Sequence, residues 1–320
     1  MRVAPLSLAL LLLPLIDCGS QQDLIIGRVS LAEGGGAGTS AGTGAAPTTG
    51  GTDAVAGVGG TGAVSGSSEG GSSVDAAGAA GAAGDTGDPC VAGEEPPLGS
   101  LIHRYSFDGT GTTATDTIAG ADGDGDIAGA ALDGSGMLTL SGDSGQYVDL
   151  PNNLVHSLTD VTIVAWTAWV DGAAYGRVFD FGISDAGEGK VGMGRSYIAV
   201  LPKTGFENQA KPGLGGEIKA PGFPTVTLAS TANMKNRAFQ VALVFKSGVS
   251  AALYLDGDQL AFQTTAIALG NIDDRNNWIG RSQYNGNPGY EGSFEEFRIY
   301  NAALDSCQLH TLLVRGPQSP

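Results

Sequence analysis

The chain has 320 residues, room for one large domain or two small ones, and carries 16 Lys plus Arg against 33 Asp plus Glu, a net charge of −17. Such a polyanion repels phosphate backbones, which argues against nucleic acid as a partner, and it suits an exported, soluble surface that tolerates divalent cations. The 53 glycines far exceed average usage and point to a low-complexity segment.

The first 18 residues predict an export signal. Arg2 supplies a positive n-region and Leu6 to Ile16 a short apolar core, too short to span a bilayer. The stretch "LIDC" (15–18) resembles a bacterial lipobox, in which Cys18 is acylated and becomes the mature N-terminus; Asp17 departs from the small residue that such motifs carry. Membrane attachment is thus expected only through a lipid anchor.

Residues 19–97 predict a disordered linker. Between 31 and 88 there is no aromatic residue, no Lys and no Arg, so the segment has too little apolar area to offset its conformational entropy. From Cys18 to Cys90 a Gly-rich coil has an r.m.s. span of roughly 40–50 Å. Gly57, Gly59 and Gly62 spell GxGxxG, and Gly66, Ser68 and Gly70 spell GxSxG. Neither has the flanking strand and helix that give these motifs their chemistry.

Every aromatic residue lies at Tyr105 or later, which sets a folded domain at 98–316. "ADGDGD" (121–126) places Asp122, Asp124 and Asp126 at the first three ligand positions of an EF-hand loop. Ile127 then stands where the loop needs Gly, and Asp133 where it needs a bidentate Glu. The stretch reads better as a solvated turn. Further along, "VTIVAWTAWV" (161–170) is apolar on both alternating faces and predicts a central strand covered on both sides. "GRVFDFG" (176–182), "YIAVLP" (197–202), "TVTLA" (225–229), "FQVALVF" (239–245) and "SFEEFRIY" (293–300) are further strands. "SAALYLDGDQLAF" (250–262) is a hairpin turning at Asp256-Gly257. The one helix is "LDSCQLHTLL" (304–313), with Asp305 as N-cap. Short strands between Gly, Asn and Asp turns mean an all-β sandwich or barrel.

These stretches, with "QYVDLPNNLVHSLTD", "NNWIGRSQY" and "FEEFRIYNAAL", resemble the laminin-G-like jelly-roll family of the concanavalin A-like lectin/glucanase superfamily, from Leu101 to about Leu313. The resemblance implies a two-sheet antiparallel jelly-roll sandwich of about six strands per sheet. Val164 and Tyr175 depart from residues that members often carry, and 203–224 matches nothing and reads as a surface loop.

Hydrolases on this fold carry acids in a pattern like E-x-D-x-x-E along one strand, all aimed at the sugar. The best acidic strand here, "EGSFEEF", lacks the middle Asp, and its adjacent Glu295 and Glu296 point to opposite faces. The expectation is therefore no enzyme but a binding module for a glycan or surface protein, monomeric, with a polysaccharide hydrolase or lyase and a structural envelope role as alternatives. Trp169 and Trp278 read as core. Tyr284 and Tyr290 in the loop "SQYNGNPGYEG", with Tyr175, are the aromatics expected to stack on a sugar ring. Arg281 and Asp180 would give the polar floor, although Asp180, Arg177, Arg281 and Glu296 also read as buried pairs that fix register. His103, His156 and His310 lack metal-ligand spacing. Related folds often bind calcium through loop acids, and Asp108, Asp273 and Asp274 are the candidates. In an oxidising compartment Cys90 and Cys307 are the natural disulfide.

Overall fold

The structure, a computed structural model, describes residues 94–205 and 212–319. The signal, Cys18, the two glycine motifs, Cys90 and nearly all of the 19–97 segment lie outside the described residues.

Strands dominate. One sheet runs β1 (Leu101–Tyr105), β17 (Glu291–Tyr300), β8 (Asp160–Trp169), β13 (Arg237–Lys246), β14 (Ser250–Leu255), β15 (Asp258–Thr264), and β6 (Leu138–Ser141) shares the edge of β17 with β1. The other runs β12 (Val226–Ala229), β11 (Gly215–Lys219), β10 (Gly194–Leu201), β9 (Phe179–Ser184), β16 (Asn276–Ile279), β7 (Tyr147–Leu150), β4 (Gly125–Ala128), β3 (Thr113–Ala114). A short pair, β2 (Thr110–Gly111) and β5 (Leu132–Asp133), stands apart. The sheets thus hold seven and eight strands, more than the expected six each.

Alternation explains the packing. In β8, Val161, Ile163 and Ala165 enter the central core, with Phe179 and Phe181 of β9 and Phe297 of β17. These three phenylalanines lie 5.3–5.9 Å apart in tilted and edge-on contacts, a geometry aromatic pairs favour. On the opposite face of β8, Val164 and Trp166 join Leu304, Leu309 and Leu312 under α1 (Ser306–Arg315). The expected double-sided cover of β8 is therefore a sheet on one side and a helix on the other. Asp305 caps α1 as predicted, accepting from Gln308 N at 2.9 Å, while Gln308 returns a side-chain bond to Asp305 N. Asp256 and Gly257 both take positive φ at the hairpin turn, as a two-residue turn requires.

One expectation fails. Residues 203–224 are not simply a loop, because Gly215–Lys219 forms β11 in the interior of the eight-stranded sheet. The sequence "GGEIK" offers only Ile218 to the core, so its apolar signal is weak. Gly216 sits in a tight spot: a Cβ there would stand 3.3 Å from both Leu228 and Leu243 side chains, which would have to give by a few tenths of an ångström.

The "ADGDGD" stretch is a 3-10 turn (Gly120–Gly123) leading into β4. Asp122 and Asp126 face solvent, and Asp124 accepts from Asp116 N at 2.7 Å. Among the described residues no helix is long and apolar enough to cross a membrane.

Candidate functional site

The register of the eight-stranded sheet sets one residue from every strand in a single line. Thr113 pairs with Asp126, Asp126 with Asp149, Asp149 with Trp278, and Trp278 with Asp180; Asp180 pairs with Ala199, Ala199 with Glu217, and Glu217 with Thr227. Their chain neighbours Ile127, Val148, Ile279, Phe179, Ile198 and Ile218 enter the core. Strand alternation therefore puts the whole line on the outer face. Four carboxylates, scattered between positions 126 and 217, share that face.

Asp180 sits at the middle of the line and is sealed. Its Oδ2 accepts from Arg177 Nε at 3.1 Å and from Gln283 N at 3.0 Å, and its Oδ1 has no partner. Burial pushes its pKa up to about 6, against the opposing pull of Arg177 and of the Gln283 N–H. Arg177 is equally buried and also donates to Tyr175 O at 3.0 Å. The charged set read from sequence divides here. Glu296 belongs to the other sheet, between Arg104 and Arg298, and Arg281 pairs with neither group.

To one side of Asp180 lies an aromatic notch. Trp278 is fully buried, donates from Nε1 to Asp149 at 3.0 Å, and meets Tyr147 edge-on at 5.8 Å. The Arg281 guanidinium carbon lies 4.2 Å from the Tyr147 ring centre and 4.3 Å from that of Trp278, within cation–π range. On the other side, Tyr284 packs edge-on against Tyr197 at 5.7 Å, and Lys219 Nζ donates to Gly194 O at 2.8 Å and to the Tyr284 hydroxyl at 3.2 Å. Tyr197 crosses the backbone of Gly182, where a Cβ would stand 2.0 Å from Ser196 O.

Residues 281–289 form a clasped loop over this face. Tyr290 N donates to Gly280 O at 3.0 Å and closes it. Ser282 Oγ accepts from Tyr284 N and Asn287 Nδ2 at 3.1 and 2.9 Å, and Asn285 N reaches Gly192 O at 2.8 Å. Against the loop is a depression of about 290 Å³ lined by Ser144, Val191, Arg281, Tyr284, Asn285 and Asn287, with glycines between.

The predicted ligand residues divide accordingly. Arg281 and Tyr284 line the depression, and Asp180 lies beneath the loop. Tyr175 takes φ +75°, packs with Tyr284 around Tyr197, Ala199 and Leu201, and gives its hydroxyl to Gly205 O. Tyr290 is a correction. It is a core residue, fully buried, with its hydroxyl 2.7 Å from Thr167 Oγ1 and its ring 4.8 Å from that of Phe294. The Asn/Gly-rich context suggested exposure, but the loop closes one residue earlier. Trp169 and Trp278 are buried as expected.

The predicted calcium acids do not converge. Asp273 spends both oxygens on Arg275 at 2.7 Å. Asp274 is fully buried, its pKa raised by burial, and accepts from Val155 N at 2.8 Å. Asp108 is exposed elsewhere. Among the described residues the acids, histidines and cysteines whose ligand atoms meet in a group of three are Glu94, Asp305 and Cys307, none of them the predicted set. Cys307 lies half-buried in the first turn of α1.

Sequence reasoning missed Tyr147, Asp149, Glu217 and Lys219. The alternation of "QYVDL" carried the signal for the first two. Glu217 and Lys219 lay in the segment taken for a loop.

A laminin-G family profile, described as the Concanavalin A-like lectin/glucanases superfamily, matches residues 141–310. Domain 4 of AbnA, a GH43 extracellular arabinanase from Geobacillus stearothermophilus solved with arabinotriose, superposes with a TM-score of 0.50 at 17% identity, covering 66% of this chain and 97% of that domain. A Trypanosoma rangeli sialidase gives 0.48 at 17% identity over 68% of this chain and 33% of its own length. The CBM40 of the Ruminococcus gnavus IT-sialidase, bound to alpha2,3 sialyllactose, gives 0.43 at 19% identity over 54% and 94%. No curated protein matches the chain. At these identities the arabinanase domain bears on the fold alone.

Proposed function

We propose, from the premise that the chain belongs to the concanavalin A-like lectin/glucanases superfamily, that it is a non-catalytic glycan-binding module acting outside the cytoplasm, with Cys18 as the point of lipid attachment. The observation that carries this reading is the clasped 281–289 loop over the outer face of the eight-stranded sheet. Its depression offers a guanidinium, a tyrosine and two amides at its wall. Such a mix of a ring face and fixed polar groups is what orients a sugar.

A hydrolase reading has one observation in its favour: Asp180, with its pKa near 6, and Glu217 share a face two strands apart, separated by Ala199. Their spacing across two strands is about 10 Å between backbones. A general acid must nevertheless reach the leaving oxygen, and Asp180 lies under Gln283 with no solvent exposure. That seal supports binding over catalysis.

The test is a glycan array probed with the full chain, followed by a reducing-end assay on every glycan bound. Retention of at least one glycan without cleavage is expected. An array without hits overturns the reading, and release of reducing ends replaces it with the hydrolase.

A further inference from the structure

Arg281 is out of keeping with the other arginines. Of the eight described, Arg104, Arg177, Arg237, Arg275, Arg298 and Arg315 are each ion-paired. Arg195 is exposed to water. Arg281 is half-buried, and among the described residues it makes no hydrogen bond and no ion pair; its Nε is shielded from solvent without a partner. A guanidinium has five donors and cannot give up its charge. The sealed Nε lies beyond a ligand's reach, but the two terminal nitrogens, likewise without a partner among the described residues, are not sealed and are the donors an acceptor can meet.

Its position is fixed. The rings of Tyr147 and Trp278 hold the guanidinium at 4.2 and 4.3 Å from their centres, so little side-chain freedom remains to be lost when a ligand arrives. Burial raises the Asp149 pKa despite the Trp278 hydrogen bond and the nearby Arg281, and its Oδ1 accepts from Trp278 Nε1 and not from the guanidinium. The residues lining the depression include no carboxylate, and Arg281 is their one charge. The wall beside it supplies Ser144, Asn285 and Asn287, which can donate to and accept from ring hydroxyls.

Resting on the glycan-binding reading, we infer that the ligand is an anionic sugar whose carboxylate is received by Arg281. The planar fork of a guanidinium matches a carboxylate bidentately. The net charge of −17 opposes an anion at long range, but at physiological salt that field is screened beyond about 8 Å. The short-range pair in a half-buried notch is screened far less.

The experiment uses the full chain on an array in which each carboxylated glycan stands beside its neutral methyl ester, with calorimetry on the best binder. The acid is expected to bind at least tenfold more tightly than its ester. Arg281→Lys should lose about tenfold, and Arg281→Gln should abolish the discrimination; thermal melts verify that both variants remain folded. Arg281→Lys keeps a cation that can still meet the two rings, so it serves if Arg281→Gln does not fold. Esters or neutral glycans bound as tightly as acids overturn the inference and leave the glycan reading standing, as does an acid preference that survives in both variants. Silence toward every glycan, charged or neutral, overturns both.

Discussion

Replacing Asp116 tests how the first strands are held to the sandwich. Its carboxylate is fully buried, with Oδ2 2.6 Å from His103 Nδ1 and Oδ1 accepting from the N–H groups of Arg104, Ile118 and Ala119 at 3.1, 2.9 and 3.0 Å. Gly123 lies so close that a Cβ there would stand 2.4 Å from Oδ2. Burial pushes the Asp116 pKa upward, but the His103 contact and the three backbone donors outweigh it and leave the value below the ordinary range. Asp116→Ala orphans these donors together and should cost about 3–5 kcal/mol, or about 6–20 °C in Tm. Asp116→Asn keeps an oxygen for the backbone donors and should cost about 1–2 kcal/mol. Because the folded pKa is the lower one, the stabilisation is complete above the unfolded value of about 4 and is lost as pH falls through the folded value. Urea titrations of the three proteins from pH 7 to pH 3 measure this. A cost for Asp116→Ala below about 1 kcal/mol at pH 7, or a gap that widens on acidification, would refute the account.

Two further outcomes follow. In a carboxyl-detected NMR titration Asp180 should protonate with a midpoint near 6; since this exceeds the unfolded value of about 4, the group opposes folding increasingly as pH rises between the two. A midpoint below 4 would mean that the Arg177 pair, not burial, governs the site. The cysteines are proposed to join Cys90 to Cys307, and non-reducing peptide mapping should recover that linked pair, with Cys307→Ser lowering stability by at most about 5 kcal/mol in the loop-entropy picture. Two alkylatable thiols in the oxidised protein would end that assignment.

The strands whose cores alternate strongly were legible from the sequence. "FQVALVF" and "VTIVAWTAWV" declare themselves because period-2 burial demands it, and the cap of α1 was readable because Asp305 and Gln308 bond locally. Strand β11 was not, since two glycines and one isoleucine give almost no hydrophobic signal and what places them is ladder pairing with β10 on one side and β12 on the other. Tyr284 was picked out by its turn-rich context, and Arg281 as a charge set among apolar strands. The same context misled for Tyr290, because local composition cannot tell the last residue of a loop from the first residue of a buried strand.

By itself the sequence determined that an all-β domain, a sandwich or a barrel, occupies the aromatic-bearing part of the chain, because alternation of apolar side chains is a property of the strand and needs no partner to be seen; the choice of two layers came from the family resemblance. The line of Asp126, Asp149, Trp278, Asp180 and Glu217, and the unpaired guanidinium beside it, came only with the tertiary structure. Which strand lies beside which, and in what register, is set by packing that joins near segments to distant ones, as where Asp149 meets Trp278 across more than a hundred residues of chain. Local patterns carry no record of it.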